Sequence, residues 1–206
     1  MLALPLEIFS THSKYDKIVS ILKEGGTFIY PTETCYGLGC DATNSEAVEK
    51  IFKIKNRPKE KPCIVLFKDV FLLKQYAVLD SFTENLVQSY WPGALTVLLP
   101  VQSNTRLSPY IIPETNKISC RISPHPFIQK LFENFDSPLV STSANLAGEP
   151  NIYDSKEIVK NFSSKEHAPD IFIDAGDLPF NPPSTLIEIR NEKIYVLRQG
   201  SIYLNC

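Results

Sequence analysis

Four groups of residues have types and spacings suited to chemistry on an anionic substrate. Pro31-Thr-Glu-Thr-Cys-Tyr-Gly-Leu-Gly39 sets hydroxyls at Thr32, Thr34 and Tyr36, a carboxylate at Glu33 and two glycines directly after a short apolar run. That suits a turn whose backbone approaches a ligand closely, and equally a tight turn held together by threonine hydroxyls. Lys53, Lys55, Arg57, Lys59 and Lys61 form a basic comb of period two, interrupted by one acid, Glu60. Lys-x-Arg in an extended segment can offer both cations to a polyphosphate, while cations at a helix end also complement its dipole as solvated side chains. Ser141-Thr-Ser-Ala-Asn145 gathers three hydroxyls and an amide that can hold phosphate oxygens or cap a helix. Arg121, Ser184-Thr185 and Arg198 make the fourth group, isolated positions that acquire meaning only if the fold brings them together.

The elements that must position these groups follow from periodicity. A helix is expected over residues 15–24, ending at Gly25-Gly26, and a buried strand over Thr27–Pro31. The clearest helix runs from Asn44, its N-cap, to Lys55, with Ala47, Val48, Ile51 and Phe52 on one stripe. Residues 63–67 are a continuous apolar run, as for a strand covered on both faces. Helices over 69–78 and 83–90, a turn at Trp91-Pro-Gly93, a strand over 94–99 and an ordered loop over 102–115 follow. Residues 117–122 alternate, with Ser119 and Arg121 on the side expected to be wet. A helix over 125–135, strands over 138–141 and 170–174, a helix over 154–162 and a terminal hairpin turning at Asn191-Glu192 complete an α/β (α+β) domain with a mixed sheet flanked by helices. No internal repeat or domain boundary is visible, so residues 1–206 read as one domain.

Composition narrows the classes. The 206 residues are 43% hydrophobic and 21% charged, enough for a sizeable core. A net charge of −2 excludes a nucleic-acid binder working by bulk charge, though not a local basic patch. Sixteen prolines against eight glycines favour stiff loops over flexible linkers. Five cysteines without a C-x-x-C pair argue against a zinc site or a disulfide framework. No signal peptide and no apolar run of membrane-spanning length occur, so the chain reads as cytoplasmic. Neither a Walker loop nor G-x-G-x-x-G is present, and His12, His125 and His167 have no obvious serine or cysteine partner, which disfavours a covalent hydrolase.

In their order and separations the four groups closely resemble the YrdC family, the threonylcarbamoyl-adenylate synthases also called TsaC. The match runs from Gly25-Gly26 through the 31–39 segment, Lys55-Asn-Arg-Pro58, Trp91-Pro-Gly-Ala-Leu-Thr96, Arg121, residues 141–145, Ser184-Thr185 and Arg198-x-Gly200. The resemblance implies a YrdC/RibB-like fold: a twisted mixed sheet flanked by helices around a deep central cavity. It implies a reaction that joins L-threonine, bicarbonate or carbon dioxide, and ATP into L-threonylcarbamoyl-adenylate and pyrophosphate. The product then passes, through TsaD-type transferase partners, to tRNA beside the anticodon. Lys55, Arg57, Ser143, Asn145, Asn151 and Arg198 fall at ATP-side positions, Lys55 and Arg57 as the catalytic cations, with Mg2+ held mainly by the ATP phosphates. Thr32, Arg121, Ser141 and Ser184 fall at threonine-side positions, with Tyr36 close by. Replacing Lys55 or Arg57 by alanine is expected to abolish pyrophosphate release without loss of folding.

Cys35, Ala94 and Ser123 depart from the family pattern at what read as packing or turn positions. The chain, ending at Cys206, reads as the synthase domain without the further C-terminal domain of longer relatives. Two other readings remain open: a catalytically silent binder of structured RNA, and a carbamoyl-transfer domain like that of hydrogenase-maturation proteins.

Overall fold

In the computed structural model, which describes residues 6–11, 15–56, 63–163, 165 and 167–204, ten strands join into one sheet. The elements are β1 (Glu7–Ser10), α1 (Tyr15–Lys23), β2 (Thr27–Pro31), β3 (Tyr36–Asp41), α2 (Ser45–Lys55), β4 (Ile64–Leu66), α3 (Val70–Lys74), α4 (Ser81–Gln88), β5 (Leu95–Pro100), a 3-10 turn (Pro109–Ile111), β6 (Lys117–Arg121), α5 (Pro126–Leu131), β7 (Leu139–Ser143), α6 (Ser155–Phe162), β8 (Ile171–Asp174), β9 (Thr185–Arg190) and β10 (Lys193–Arg198). Several helices begin where the sequence supplies a capping oxygen. Asn44 accepts from the amides of Glu46 and Ala47, Asp80 from Thr83, and Asp154 from Lys156 and Glu157, satisfying donors the helix itself leaves orphaned. The β9–β10 hairpin turns at Asn191-Glu192 with φ of 50° and 58°, the left-handed geometry that matches strand twist.

The strand order is β1-β8-β2-β3-β7-β4-β6-β5-β9-β10. Residues directly opposed across strands share a face, so the register Gly39↔Ser141↔Ile64↔Ser119 and the pair Gly37↔Ser143 define one face. On the other face Leu38, Cys40, Val65, Val97, Cys120 and Val140 are buried beneath Val48, Ile51 and Phe52 of α2. Each such fully buried side chain contributes roughly 1.5–3 kcal/mol. The first face is divided. Phe28, Tyr30, Leu66 and Leu139 are covered by Ile18 and Leu22 of α1 and by Phe127, Ile128 and Leu131 of α5. The remainder of that face, from Gly37 to Ser143, Ser119 and Arg121, lines a pocket.

Periodicity located the helices and most strands but missed two. β3 was expected as a turn because glycine is depleted in strands; Gly37 and Gly39 are there because β3 lies against the Tyr30 ring. β1 is a four-residue edge strand with little apolar signal, paired in parallel with β8. The helices expected over 69–78 and 125–135 are shorter, Val70–Lys74 and Pro126–Leu131. The side of β6 expected to be wet is the pocket wall instead: Ser119 and Arg121 are both buried. Cys35, Cys40, Cys63 and Cys120 are buried and not joined in disulfides. Among the described residues no helix is long and apolar enough to cross a membrane.

A Cβ at position 39 would stand 2.2 Å from Val140 O and 3.0 Å from the Tyr30 ring. Gly39→Ala is therefore expected to lower folding stability by about 1–3 kcal/mol, the usual cost of overpacking, read from urea denaturation midpoints.

Candidate active site

The pocket encloses about 230 Å3 and opens where α1 and α5 leave the sheet uncovered. Five strands or their exits supply its walls: Thr32 and Thr34 after β2, Gly37 on β3, Ser119 and Arg121 on β6, Ser141 and Ser143 on β7, and Arg198 at the end of β10, with Ser184 just before β9. A rigid sheet thus delivers polar groups distant in sequence to one edge, as α/β folds commonly do. Seven of the expected site residues meet here: Thr32, Arg121, Ser141, Ser143, Asn151, Ser184 and Arg198.

Thr32 lines the pocket and also holds the loop. Its hydroxyl donates to Cys35 O at 2.7 Å and accepts from the amides of Thr34 at 3.1 Å and Cys35 at 3.3 Å. Both sequence readings of that segment therefore meet in one residue. Tyr36 does not reach the pocket lining. Its hydroxyl donates to Gly176 O at 2.6 Å and accepts from Ala175 N at 3.0 Å, and burial pushes its pKa up to about 12. As β3 is a strand, the side chain at 36 points away from the face carrying Gly37 opposite Ser143 and instead anchors the loop after β8.

Lys55 is not the solvated cation that its place at a helix end suggests. It is 1% exposed, and its ammonium donates to Ser143 O at 2.5 Å, Asn145 O at 2.7 Å and Asn145 Oδ1 at 2.9 Å. The Ser143 hydroxyl donates to the same Asn145 Oδ1 at 2.6 Å, and Asn145 Nδ2 donates to Glu149 O. Lys55 and Asn145 thus lie behind the pocket surface and shape the turn that presents Ser143. Arg57, Lys59 and Lys61 lie outside the described residues. Lys53 is a solvated helix-end cation, exposed and paired with Glu49 at 3.3 Å.

Arg121 is 3% exposed. Its Nη1 lies 3.2 Å from Glu33 Oε1, an ion pair whose geometry falls short of a hydrogen bond, and its Nε has no partner. A buried donor left unmet costs about 1–3 kcal/mol, which an incoming anion would recover. Arg198 is exposed as a residue, but its guanidinium is tucked against Ser184, with Nε and Nη2 donating to Ser184 O at 3.1 and 2.9 Å and Nη2 to Ser184 Oγ at 3.0 Å. Ser184 Oγ also pairs with Thr96 Oγ1 at 2.8 Å. Desolvation, and then the charge of Arg121, lower the Arg198 pKa. Two cations within electrostatic reach over a floor of hydroxyls form a site for a bound anion.

Residue type marked the Thr34 hydroxyl but gave it no role, and it gave no site role to Cys35, Ser119 or Ser123. The alternation that placed Arg121 on β6 places Ser119 beside it, so that signal was present. Ser123 gave none: a serine in a turn does not announce that its hydroxyl donates to Glu33 Oε2 at 2.6 Å.

Comparisons with known proteins give the family and the fold. The Sua5/YciO/YrdC family model, described as telomere recombination, matches residues 20–200. A threonylcarbamoyl-AMP synthase of Stenotrophomonas maltophilia (strain K279a) is 41% identical over 138 residues, 66% of this chain and 73% of that protein. The structure of P. abyssi Sua5 complexed with L-threonine superposes with a TM-score of 0.84 at 27% identity, over 96% of this chain and 58% of that one. E. coli YciO superposes with a TM-score of 0.80 at 25% identity, over 97% of this chain and 96% of the other. The chain thus spans about three fifths of the Sua5 chain and nearly all of YciO.

Replacing Lys55 leaves buried oxygens without a donor, so the sequence expectation of a foldable, inactive Lys55→Ala protein is revised. Lys55→Met is expected to lose roughly 2–4 kcal/mol of stability, at about 1–3 kcal/mol per unmet acceptor, seen as a lower denaturation midpoint before any activity is assayed.

Proposed function

Since the chain belongs to the Sua5/YciO/YrdC family, we propose that it is a threonylcarbamoyl-AMP synthase, converting L-threonine, bicarbonate or carbon dioxide, and ATP into L-threonylcarbamoyl-adenylate and pyrophosphate. The observation that carries the reading is Arg121, a buried pocket-lining guanidinium with an unmet Nε–H and with Arg198 within electrostatic reach. Such a site needs a small anion that also offers hydroxyls or phosphate oxygens to its serines and threonines, and an amino acid joined to a nucleotide meets that need.

In this reading the threonine amine adds to carbon dioxide, loses a proton and becomes a carbamate. A carbamate oxygen then attacks the α-phosphorus of ATP, and the bond to pyrophosphate breaks. An anion approaches a polyanion, so positioned cations and dipoles supply most of the barrier lowering. Arg121 takes the threonine carboxylate, and Thr32, Ser141 and Ser184 surround the side chain, where one unmet hydrogen bond discriminates strongly. Ser143, Asn151 and Arg198 face the nucleotide. Lys55 and Asn145 act from behind Ser143, and Arg57 enters on sequence resemblance alone. Among the described residues no three His, Cys, Asp or Glu side chains converge on a metal position. In this reading a Mg2+ would arrive with the ATP phosphates and offset part of their charge. The product would pass to a TsaD-type transferase and on to tRNA.

Initial rates of pyrophosphate release should require threonine, bicarbonate and ATP together. Arg121→Lys should raise the KM for threonine about 10- to 100-fold, as expected for loss of roughly 1.5–3 kcal/mol in hydrogen bonds to a charged group, with the KM for ATP little changed. Release indifferent to threonine would sink the proposal.

A further inference from the structure

Glu33 sits between two residues that line the pocket, Thr32 and Thr34, yet its side chain is turned toward β6. Three contacts fix it. Its backbone carbonyl accepts from Asn181 Nδ2 at 3.1 Å, and Oε2 accepts from Ser123 Oγ at 2.6 Å. The direction of the second bond is determined: Ser123 Oγ already accepts from His125 N at 3.2 Å, so its proton is left for the carboxylate. Ser123 is fully buried, and its own carbonyl accepts from Gln129 Nε2 at 2.5 Å, which anchors the donor to α5. The third contact is the Arg121 ion pair at 3.2 Å, made through Nη1.

A guanidinium is a planar fork with two edges on which a carboxylate can sit in bidentate fashion. Glu33 engages Arg121 at Nη1, while Nε is buried and without a partner. The carboxylate therefore holds the guanidinium of this pocket-lining residue from its Nη1 side and leaves Nε unclaimed. We propose that Glu33, held by Ser123, is a positioning residue that aims Arg121 at the carboxylate of the amino-acid substrate; this rests on the synthase reading given above. Preorganisation of this kind acts on one substrate. It lowers the reorganisation needed when the amino acid binds and has no direct contact with the nucleotide.

A competing expectation has the opposite sign. If Glu33 merely competes with substrate for the charge of Arg121, neutralising it would tighten threonine binding. The full-length chain and its Glu33→Gln and Ser123→Ala variants are compared by titration calorimetry with L-threonine and with L-threoninamide, and by initial rates of pyrophosphate release. The proposal expects Glu33→Gln to weaken L-threonine about tenfold, the scale of one charge-assisted contact, and to narrow the preference for threonine over threoninamide. The KM for ATP and the melting temperature should stay near wild type, and Ser123→Ala should move threonine affinity in the same direction by a smaller factor. Unchanged or tighter threonine binding in Glu33→Gln, or equal losses for threonine and threoninamide, overturns it. If Glu33→Gln does not fold, Ser123→Ala decides on the same criteria. Threonine binding that depends on Glu33 in a wild-type chain that releases no pyrophosphate would defeat the synthase reading while upholding the positioning role; pyrophosphate release with Glu33-independent threonine binding would do the reverse. A wild type that binds no threonine overturns both.

Discussion

An ammonium group cannot be buried without oxygens around it, and that requirement at Lys55 organises the site. Taking an unpaired charge into a dry interior costs far more than a fold can supply. The lysine closing α2 is 1% exposed, and three of its oxygen contacts come from Ser143 and Asn145 at the exit of β7. Ala147 N donates back to Lys55 O at 2.9 Å. The end of the main helix and the turn after a central strand therefore form one rigid piece, with Ser143 as its face toward the pocket. The charge that sequence reading assigned to the substrate serves first to build the surface on which the substrate would lie.

The same accounting of charge explains why a chain of net charge −2 can hold an electropositive recess. Arg121 is only partly compensated by Glu33, and Arg198 is held by the carbonyl and hydroxyl of one serine, neither of which carries a charge. On β9 the compensation is closer. Glu188 accepts from Arg190 and Lys117, which together hold its carboxyl below the ordinary range. The pocket thus holds cations whose compensation is incomplete, and a bound anion would complete it.

Much of the fold was legible because burial imposes periodicity. The Asn44 cap, the stripe of α2 and the Asn191-Glu192 turn all follow from local chemistry. β3 was not legible, because its glycines answer to the Tyr30 ring and Val140 O, which are neighbours only in the folded sheet. The alternation in β6 was correctly placed but its environment was not: a sequence distinguishes polar from apolar sides, and a pocket wall reads like a surface. Tyr36 illustrates the converse. It stands among site residues in the sequence, but strand geometry sends its side chain to the opposite face. Glu33 and Ser123, ninety positions apart, were beyond any local pattern.

Arg198 belongs to the last strand of the sheet. β10 is paired on one side only, most of its residues are exposed, and its register slips between Val196 and Arg198. Edge strands of this kind open locally at a free energy well below that of global unfolding. One wall of the recess is therefore a sheet edge given to fraying, and it is fastened across to Ser184 by Arg198 itself. Any anion that engages this arginine raises the cost of that opening, so occupancy of the recess would be recorded at the sheet edge as slower hydrogen exchange of the β10 amides.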